Sequence, residues 1–224
     1  MSQSTPTSPP LLYSYWRSTA AYRVRIALNL KDIAHEIRSV HLIRDGGAQH
    51  GDDYRALNPQ GLVPTLCIDD QVLSQSMAII EYLEEMYPWP ALLPVRPAER
   101  ARVRSLCATI TCDVHPLNNL RVLQYLRGPA GISEDAKSAW YAHWVELGFT
   151  ALETRLARSP LTGQFCHGDT PGMADIVLVG QMYNARRFEC DVSGYPVLRG
   201  ICDRALALDA FDRARPENQA DAAD

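Results

Sequence analysis

Apolar positions change period several times before Met86. Leu11–Trp16 is a short apolar and aromatic run that predicts a strand. Tyr22–Leu30 places Val24, Ala27, Leu28 and Leu30 at helical spacing. Arg17-Ser18-Thr19-Ala20, small and polar, lies where that helix starts. Ile37–Leu42 alternates loosely as a second strand, Asp45-Gly46-Gly47 makes a loop, and Asp52–Leu57 suits a short helix. The turn Asn58-Pro59-Gln60-Gly61 leads into a strand, Leu62–Ile68. Its Pro64 has no N–H to donate, so it is tolerated only at an edge, a bulge or a special bend. Asp69-Asp70 turns the chain into a short strand at Gln71–Leu73. Ser74-Gln75-Ser76 then introduces a helix through Met86, with Met77, Ile80 and Leu83 on one stripe. The order β-α-β-(α)-β-β-α describes a small α/β unit.

Pro88, Pro90, Pro94 and Pro97 then crowd together and read as a linker. Beyond Ala98 strand-like alternation all but vanishes. Helical patterns run through Arg100–Arg127, Glu134–Arg158, Met173–Arg186 and Pro196–Ala210, with Pro116 ending or kinking the first. The pattern therefore divides the chain into a disordered tail at 1–10, an α/β domain at 11–87 and a linker at 88–97. An all-helical domain at 98–214 and a loose, polar tail at 215–224 complete it.

A net charge of −4, with Lys and Arg scattered rather than striped, argues against nucleic acid or an anionic membrane as a partner. Any anion must then be handled by a few local arginines. The opening MSQSTPTSPP has no basic patch and no apolar core, so it does not read as a signal peptide. No apolar run is long enough to span a membrane. The six cysteines (67, 107, 112, 166, 190 and 202) form no CxxC pair, and the histidines form no HExxH. Reduced thiols, a cytoplasmic location and no metal site are the expectation.

Chemistry concentrates at Arg17–Ala20. A helix N-terminus leaves backbone N–H groups without partners and carries partial positive charge, so a hydroxyl or anion there is stabilised. Two readings stay open: Ser18 or Thr19 is a plain helix cap, or Ser18 points at a bound thiol and holds it as a thiolate.

Several blocks resemble the cytosolic glutathione transferases, whose fold joins a thioredoxin-like domain to an all-helical one. Leu62-Val63-Pro64-Thr65-Leu66 is similar to that superfamily's cis-proline strand, and Gln75-Ser76 to its γ-glutamyl carboxylate site. The zeta class is matched by Tyr13-Ser14-Tyr15-Trp16-Arg17-Ser18, Tyr22–Leu28, Ala56-Leu57-Asn58-Pro59 and Ser76–Glu85. Pro116-Leu117-Asn118-Asn119-Leu120 and Asn184-Ala185-Arg186-Arg187-Phe188 match it too, so the resemblance runs from Leu11 to about Phe211.

The resemblance implies glutathione as cofactor, held by Ser18, Thr19, Gln49, Val63, Gln75 and Ser76, with Asn119 and Arg121 lining the cleft from the helical domain. It implies catalytic roles for Arg17, Ser18 and Thr19. A small dicarboxylate substrate would meet Arg17, His115, Arg121 and Arg187, since a guanidinium binds both oxygens of a carboxylate. The implied activity is glutathione-dependent isomerisation of maleylacetoacetate to fumarylacetoacetate, in phenylalanine and tyrosine breakdown. Alternatives are maleylpyruvate isomerisation, general glutathione transfer, dehalogenation of α-halo acids, and a non-catalytic binding protein. The Ser18–Thr19 and Gln75–Ser76 pairs argue against the last. A homodimer is implied as well.

Three positions depart from the class. Ala20 stands where animal members often have cysteine, so no role for that thiol can operate here. His115 stands where the helical domain usually has a glutamine. Gly172 precedes Met173-Ala174-Asp175 where Ser or Thr is usual, at a cost of a few tenths of a kcal/mol.

Overall fold

The computed structural model describes residues 8–223, with side chains to 222; most of the tail at 1–10 lies outside the described residues. By its contacts the chain forms two units. The first runs to Leu92 and resumes at Leu208, and the second spans Leu93–Ala207.

The first unit holds β1 (Leu11–Ser14), α1 (Thr19–Leu30), β2 (Glu36–Ser39), α2 (Asp52–Leu57), β3 (Thr65–Ile68), β4 (Gln71–Ser74) and α3 (Ser76–Met86). Its sheet has the order β2-β1-β3-β4, with β2 parallel to β1 and the other pairs antiparallel. The central strands carry the buried residues Leu12, Leu66 and Ile68, while the edges β2 and β4 are largely exposed. β3 begins only after Pro64, which cannot donate to the ladder. β2 ends at Ser39, earlier than the alternation to Leu42 suggests. Val40 N–H still reaches Ser14 O at 2.7 Å, but the chain then turns away and His41 O accepts from Ala48 N–H. The Val63–Pro64 and Trp89–Pro90 peptide bonds are cis.

The second unit is helical: α4 (Pro97–Thr111), α5 (Leu120–Arg127), α6 (Glu134–Arg158), α7 (Met173–Arg187) and α8 (Pro196–Leu206). Between α4 and α5, His115–Leu117 forms a short 3-10 turn, the break expected at Pro116. From Met173 to Ala185 almost every residue of α7 is buried, as befits a helix packed against both α4 and α8.

Two boundaries differ from those in the sequence pattern. The proline-rich stretch is not a free linker at its start. Lys31 Nζ donates to Glu84 Oε2 at 2.8 Å, Tyr87 O at 2.6 Å and Pro90 O at 2.9 Å, which fixes 87–90 to the first unit. The helical pattern at Pro196–Ala210 breaks after Leu206, and the chain rejoins the first unit through α9 (Asp209–Asp212). Phe211 and Ala214 are buried there. The 215–224 stretch, expected to be loose, forms 3-10 turns at Pro216–Asn218 and Ala220–Ala223, and Asp221 is buried. The physical reason is hydrogen bonding to the first unit, which a polar composition does not reveal.

Candidate active site

The sheet register gathers the candidate residues of the first unit. Tyr13 pairs with Thr65, Thr65 with Ser74, and Ser14 with Ser39. The exit of β1, the entry to β3, the exit of β4 and the exit of β2 therefore lie at one end of the sheet. These lead respectively to Ser18 and Thr19, back from Val63–Pro64, to Gln75–Ser76, and to Gln49.

Ser18 is the N-cap of α1, in an extended conformation, and its Oγ accepts from Ala21 N–H at 3.2 Å. The bond engages a lone pair of the hydroxyl and leaves its hydrogen available to another acceptor. Cap and thiolate donor are thus compatible roles of one hydroxyl. Ser18 is half-buried, whereas Thr19 is buried. The preceding loop is held tightly. Ser18 N–H bonds Tyr15 O at 2.9 Å, and the buried Arg25 donates to Ser14 Oγ at 3.0 Å and Trp16 O at 3.0 Å. The burial of Arg25 was not foreseeable from a helix pattern in which it occupies an ordinary polar position.

Gln75 precedes α3 with φ 69° and ψ 113°, in the left-handed half of conformational space where a side chain is strained. Such strain persists where the surroundings over-determine it, often at a binding site. Its Nε2 donates to Gln60 Oε1 at 2.8 Å, and Ser76 beside it is buried. Gln49 is buried in a 3-10 turn, with Nε2 donating to Leu42 O at 3.1 Å while Oε1 has no partner. Space for this amide depends on Gly47, where a Cβ would fall 2.5 Å from it. An orphaned buried acceptor, a strained turn and a helix N-terminus at one sheet end suit a peptide-like ligand bearing amides, a carboxylate and a thiol.

In the second unit, Asn119 caps α5. Its Oδ1 accepts from Val122 N–H at 3.2 Å and its Nδ2 donates to Pro116 O at 3.1 Å. His115 is half-buried at the start of the 3-10 turn, and Arg121 is exposed in the first turn of α5. One turn of α6 fastens this segment and the end of α7. Trp140 Nε1 donates to Leu117 O at 2.7 Å, while Tyr141 stacks on Phe188 with ring centroids 4.0 Å apart. Arg187 lies over the Phe188 ring at 4.9 Å. Burial pushes the Tyr141 hydroxyl far above its ordinary range, and the Arg187 charge pulls the other way.

Of the two adjacent arginines, Arg186 pairs with Asp203 at 3.2 Å. Arg17 is exposed with its guanidinium 4.0 Å from the Trp16 ring centroid. Among the described residues Arg17, Arg121 and Arg187 have no acidic partner, so their charge is not spent on structure. No described group of His, Cys, Asp and Glu is arranged to hold a metal ion. All six cysteines are free thiols.

Residues 12–92 match the family model described as glutathione S-transferase, N-terminal domain. A probable maleylacetoacetate isomerase from Vibrio cholerae is 50% identical, over 95% of this chain and 98% of its own. A solved holo structure of maleyl pyruvate isomerase, a bacterial glutathione S-transferase of the zeta class, superposes with a TM-score of 0.91. It is 49% identical and covers 94% of this chain and 99% of its own. A maleylacetoacetate isomerase structure from Methylobacterium extorquens AM1, with bound malonate and glutathione, gives 0.89 at 43% identity, covering 93% and 97%. With identity this high over nearly its whole length, the chain belongs to the zeta-class glutathione transferase family of maleylacetoacetate and maleylpyruvate isomerases.

Proposed function

We propose that this protein is a glutathione-dependent cis–trans isomerase that converts maleylacetoacetate to fumarylacetoacetate, in the breakdown of phenylalanine and tyrosine. The observation that carries the reading is the convergence of Ser18, Val63, Gln75–Ser76 and Gln49 at one end of the sheet, with the Ser18 hydroxyl hydrogen still to be donated. When bound, glutathione supplies a thiolate nucleophile, which makes the conjugated double bond transiently single so that the carbon chain can rotate. Ser18 donates its hydrogen bond to the sulfur, and the N-terminus of α1 adds its partial positive charge; both favour the ionised thiol. Thr19 stands beside it as a second hydroxyl. Gln75 and the N-terminus of α3 at Ser76 take the γ-glutamyl carboxylate. Val63 offers its backbone to the cysteinyl part, and Gln49 Oε1 accepts from a ligand N–H. Asn119 contributes what its cap leaves over, the second Nδ2 hydrogen. Arg17, Arg121 and Arg187 bind substrate oxygens in bidentate fashion and stabilise the negative charge that develops. His115 is assigned to the substrate side. The protein works in the cytoplasm as a homodimer, and its substrate is a small dicarboxylate rather than a nucleic acid or a membrane.

Maleylpyruvate is the second reading, because relatives carrying either substrate's name are equally similar to this chain. Dialysed protein given each diacid, with and without glutathione, tests both. The expected result is no turnover without glutathione and faster turnover of maleylacetoacetate. Arg17→Met or Arg121→Met should raise KM for the diacid, and should cost about 2–5 kcal/mol in kcat/KM where the bound diacid desolvates these otherwise exposed guanidinium groups. Conjugation of a neutral electrophile should persist in both variants. Intact diacid turnover in both would leave only the glutathione-transferase fold.

A further inference from the structure

The C-terminal segment runs along α1 against the direction of that helix. Asn29 Nδ2 donates to Ala210 O at 2.9 Å, and one turn earlier in α1 Arg25 Nε donates to Ala214 O at 3.1 Å. Beyond the N-terminus of α1, Trp16 N–H donates to Asp221 Oδ2 at 3.1 Å. The segment braces itself: Asn218 Nδ2 reaches Asp212 O at 2.7 Å, and Gln219 Nε2 reaches Arg213 O and Arg215 O at 2.9 and 2.8 Å. Within the segment Phe211 and Pro216 are buried. This is a built structure ending at the loop that carries Arg17 and Ser18.

At Trp16 both backbone groups are taken by side chains. The N–H goes to Asp221 and the C=O accepts from Arg25 Nη2 at 3.0 Å. The same Asp221 oxygen accepts from Ser39 Oγ at 2.7 Å, so one carboxylate oxygen ties the β1–α1 loop to the exit of β2. The residue before Arg17-Ser18 is thus clamped from both sides. Its two clamps are joined through Ala214, which Arg25 also holds. Ser18 has bonds of its own, its N–H to Tyr15 O at 2.9 Å and Ala21 N–H to its Oγ at 3.2 Å, and the bonds at Trp16 hold the backbone two residues before it.

We propose that the C-terminal segment is a positioning strap for the reaction, with Asp221 its anchoring residue, acting through the Trp16 amide on Ser18. The proposal rests on the reading of Ser18 as the thiol's hydrogen-bond donor. Asp221 touches neither substrate nor cofactor. Its effect belongs to orientation, where a misplacement of about 1 Å costs on the order of 100-fold in rate.

The test uses the full-length protein and Asp221→Ala, Asp221→Asn and a chain ending at Gln219. Four quantities are read: kcat, KM for glutathione, thiolate absorbance of bound glutathione against pH, and amide exchange at Trp16. Asp221→Ala and the shortened chain should lower kcat about 10- to 100-fold and change KM for glutathione less than about threefold. Bound glutathione should ionise at higher pH, and the Trp16 amide should exchange faster. Asp221→Asn keeps a carbonyl that can accept from both donors, so it should restore kcat and slow exchange. If Asp221→Ala melts earlier but keeps wild-type kcat and thiol titration, the strap is merely structural and the proposal is overturned. If wild-type bound glutathione titrates like the free thiol while kcat still falls in Asp221→Ala and returns in Asp221→Asn, the strap stands and the Ser18 reading fails.

Discussion

At the start of α1 a serine side chain caps the helix from outside. At the start of α7 the cap residue is Gly172, with no side chain, and Asp175 reaches back from within the first turn. Asp175 Oδ2 accepts from Gly172 N–H and Oδ1 from Cys166 N–H, each at 2.8 Å. Half of a capping box is present, and it is consumed: the carboxylate is buried and both its oxygens are bonded to the chain itself. Ser18 accepts one bond and keeps a hydrogen for something else. On the proposed reading of Ser18, what separates a structural helix start from a chemical one is the hydrogen-bonding capacity left after the helix has been satisfied, rather than the type of cap.

The sharpest test exchanges the two roles. Asp175→Ala leaves two N–H groups without acceptors, one of them buried, at about 1–3 kcal/mol each. A stability loss of about 2–5 kcal/mol in denaturant unfolding is expected, with kcat per folded molecule nearly normal. Burial pushes the Asp175 carboxyl above its ordinary range, against the pull of its N–H donors. A carboxyl raised on folding contributes stability that is full below its unfolded value and lost as pH rises through the folded one. Asp175→Asn should flatten that part of the stability profile. A large fall in kcat for correctly folded Asp175→Ala would blur the distinction between the two helix starts.

Ser18→Ala should do the opposite. Removing one oriented donor lowers kcat roughly ten- to a thousand-fold, against a stability loss of about 1 kcal/mol for the lost cap. Thr19→Ala is the comparison, since Thr19 is the more buried of the two hydroxyls. A Ser18→Ala protein that turned over normally and only melted early would make α1 another structural start.

Both helix starts are readable in the sequence, Ser18 before α1 and Gly172 before α7, but the distant supports of the first are hidden. Ser18 was legible because capping is local: the apolar period of α1 and the polar residues before it fall within a few positions. The cis bond at Val63–Pro64 and the start of α3 after Gln75 are legible through motifs that are also local. Asp221 was not, because its bonds to Trp16 and Ser39 span 205 and 182 positions and its surroundings are polar. For the same reason the end of the helical pattern at Ala210 was misplaced. Phe211 falls inside the stretch 98–214 expected to form the helical domain, yet it is buried in the other unit. Arg25 is a cation inside a core, which hydrophobic periodicity cannot anticipate.

Asn119 lies between the two extremes. Oδ1 caps α5, and one Nδ2 hydrogen is donated to Pro116 O. Asn119→Ala should lose about 1 kcal/mol of stability, as caps usually do. KM for glutathione should rise by only a few-fold, since one hydrogen is all it has left to offer. A rise of 100-fold, or about 2.7 kcal/mol, would mean that the cap is secondary.

The smallest effect is expected at Gly172 itself. Its φ of −138° and ψ of −165° lie in extended space open to any residue, so Gly172→Ser introduces no backbone strain. A serine there would cap α7 in the ordinary way, accepting from the backbone N–H of Asp175. That N–H already bonds Gly172 O at 3.1 Å, while Asp175 holds the Gly172 amide from the other side. The gain is therefore a few tenths of a kcal/mol, and Tm should rise by about 1 °C. Kinetics should not change, because the Asp175 carboxylate is buried and bonded to the chain itself. In the Asp175→Ala background the same serine should be worth more, about 1 kcal/mol, since it would then be the first turn's only side-chain acceptor. Equal gains in both backgrounds would show that Asp175 does not act as the cap, and the contrast with Ser18 would lose its second term.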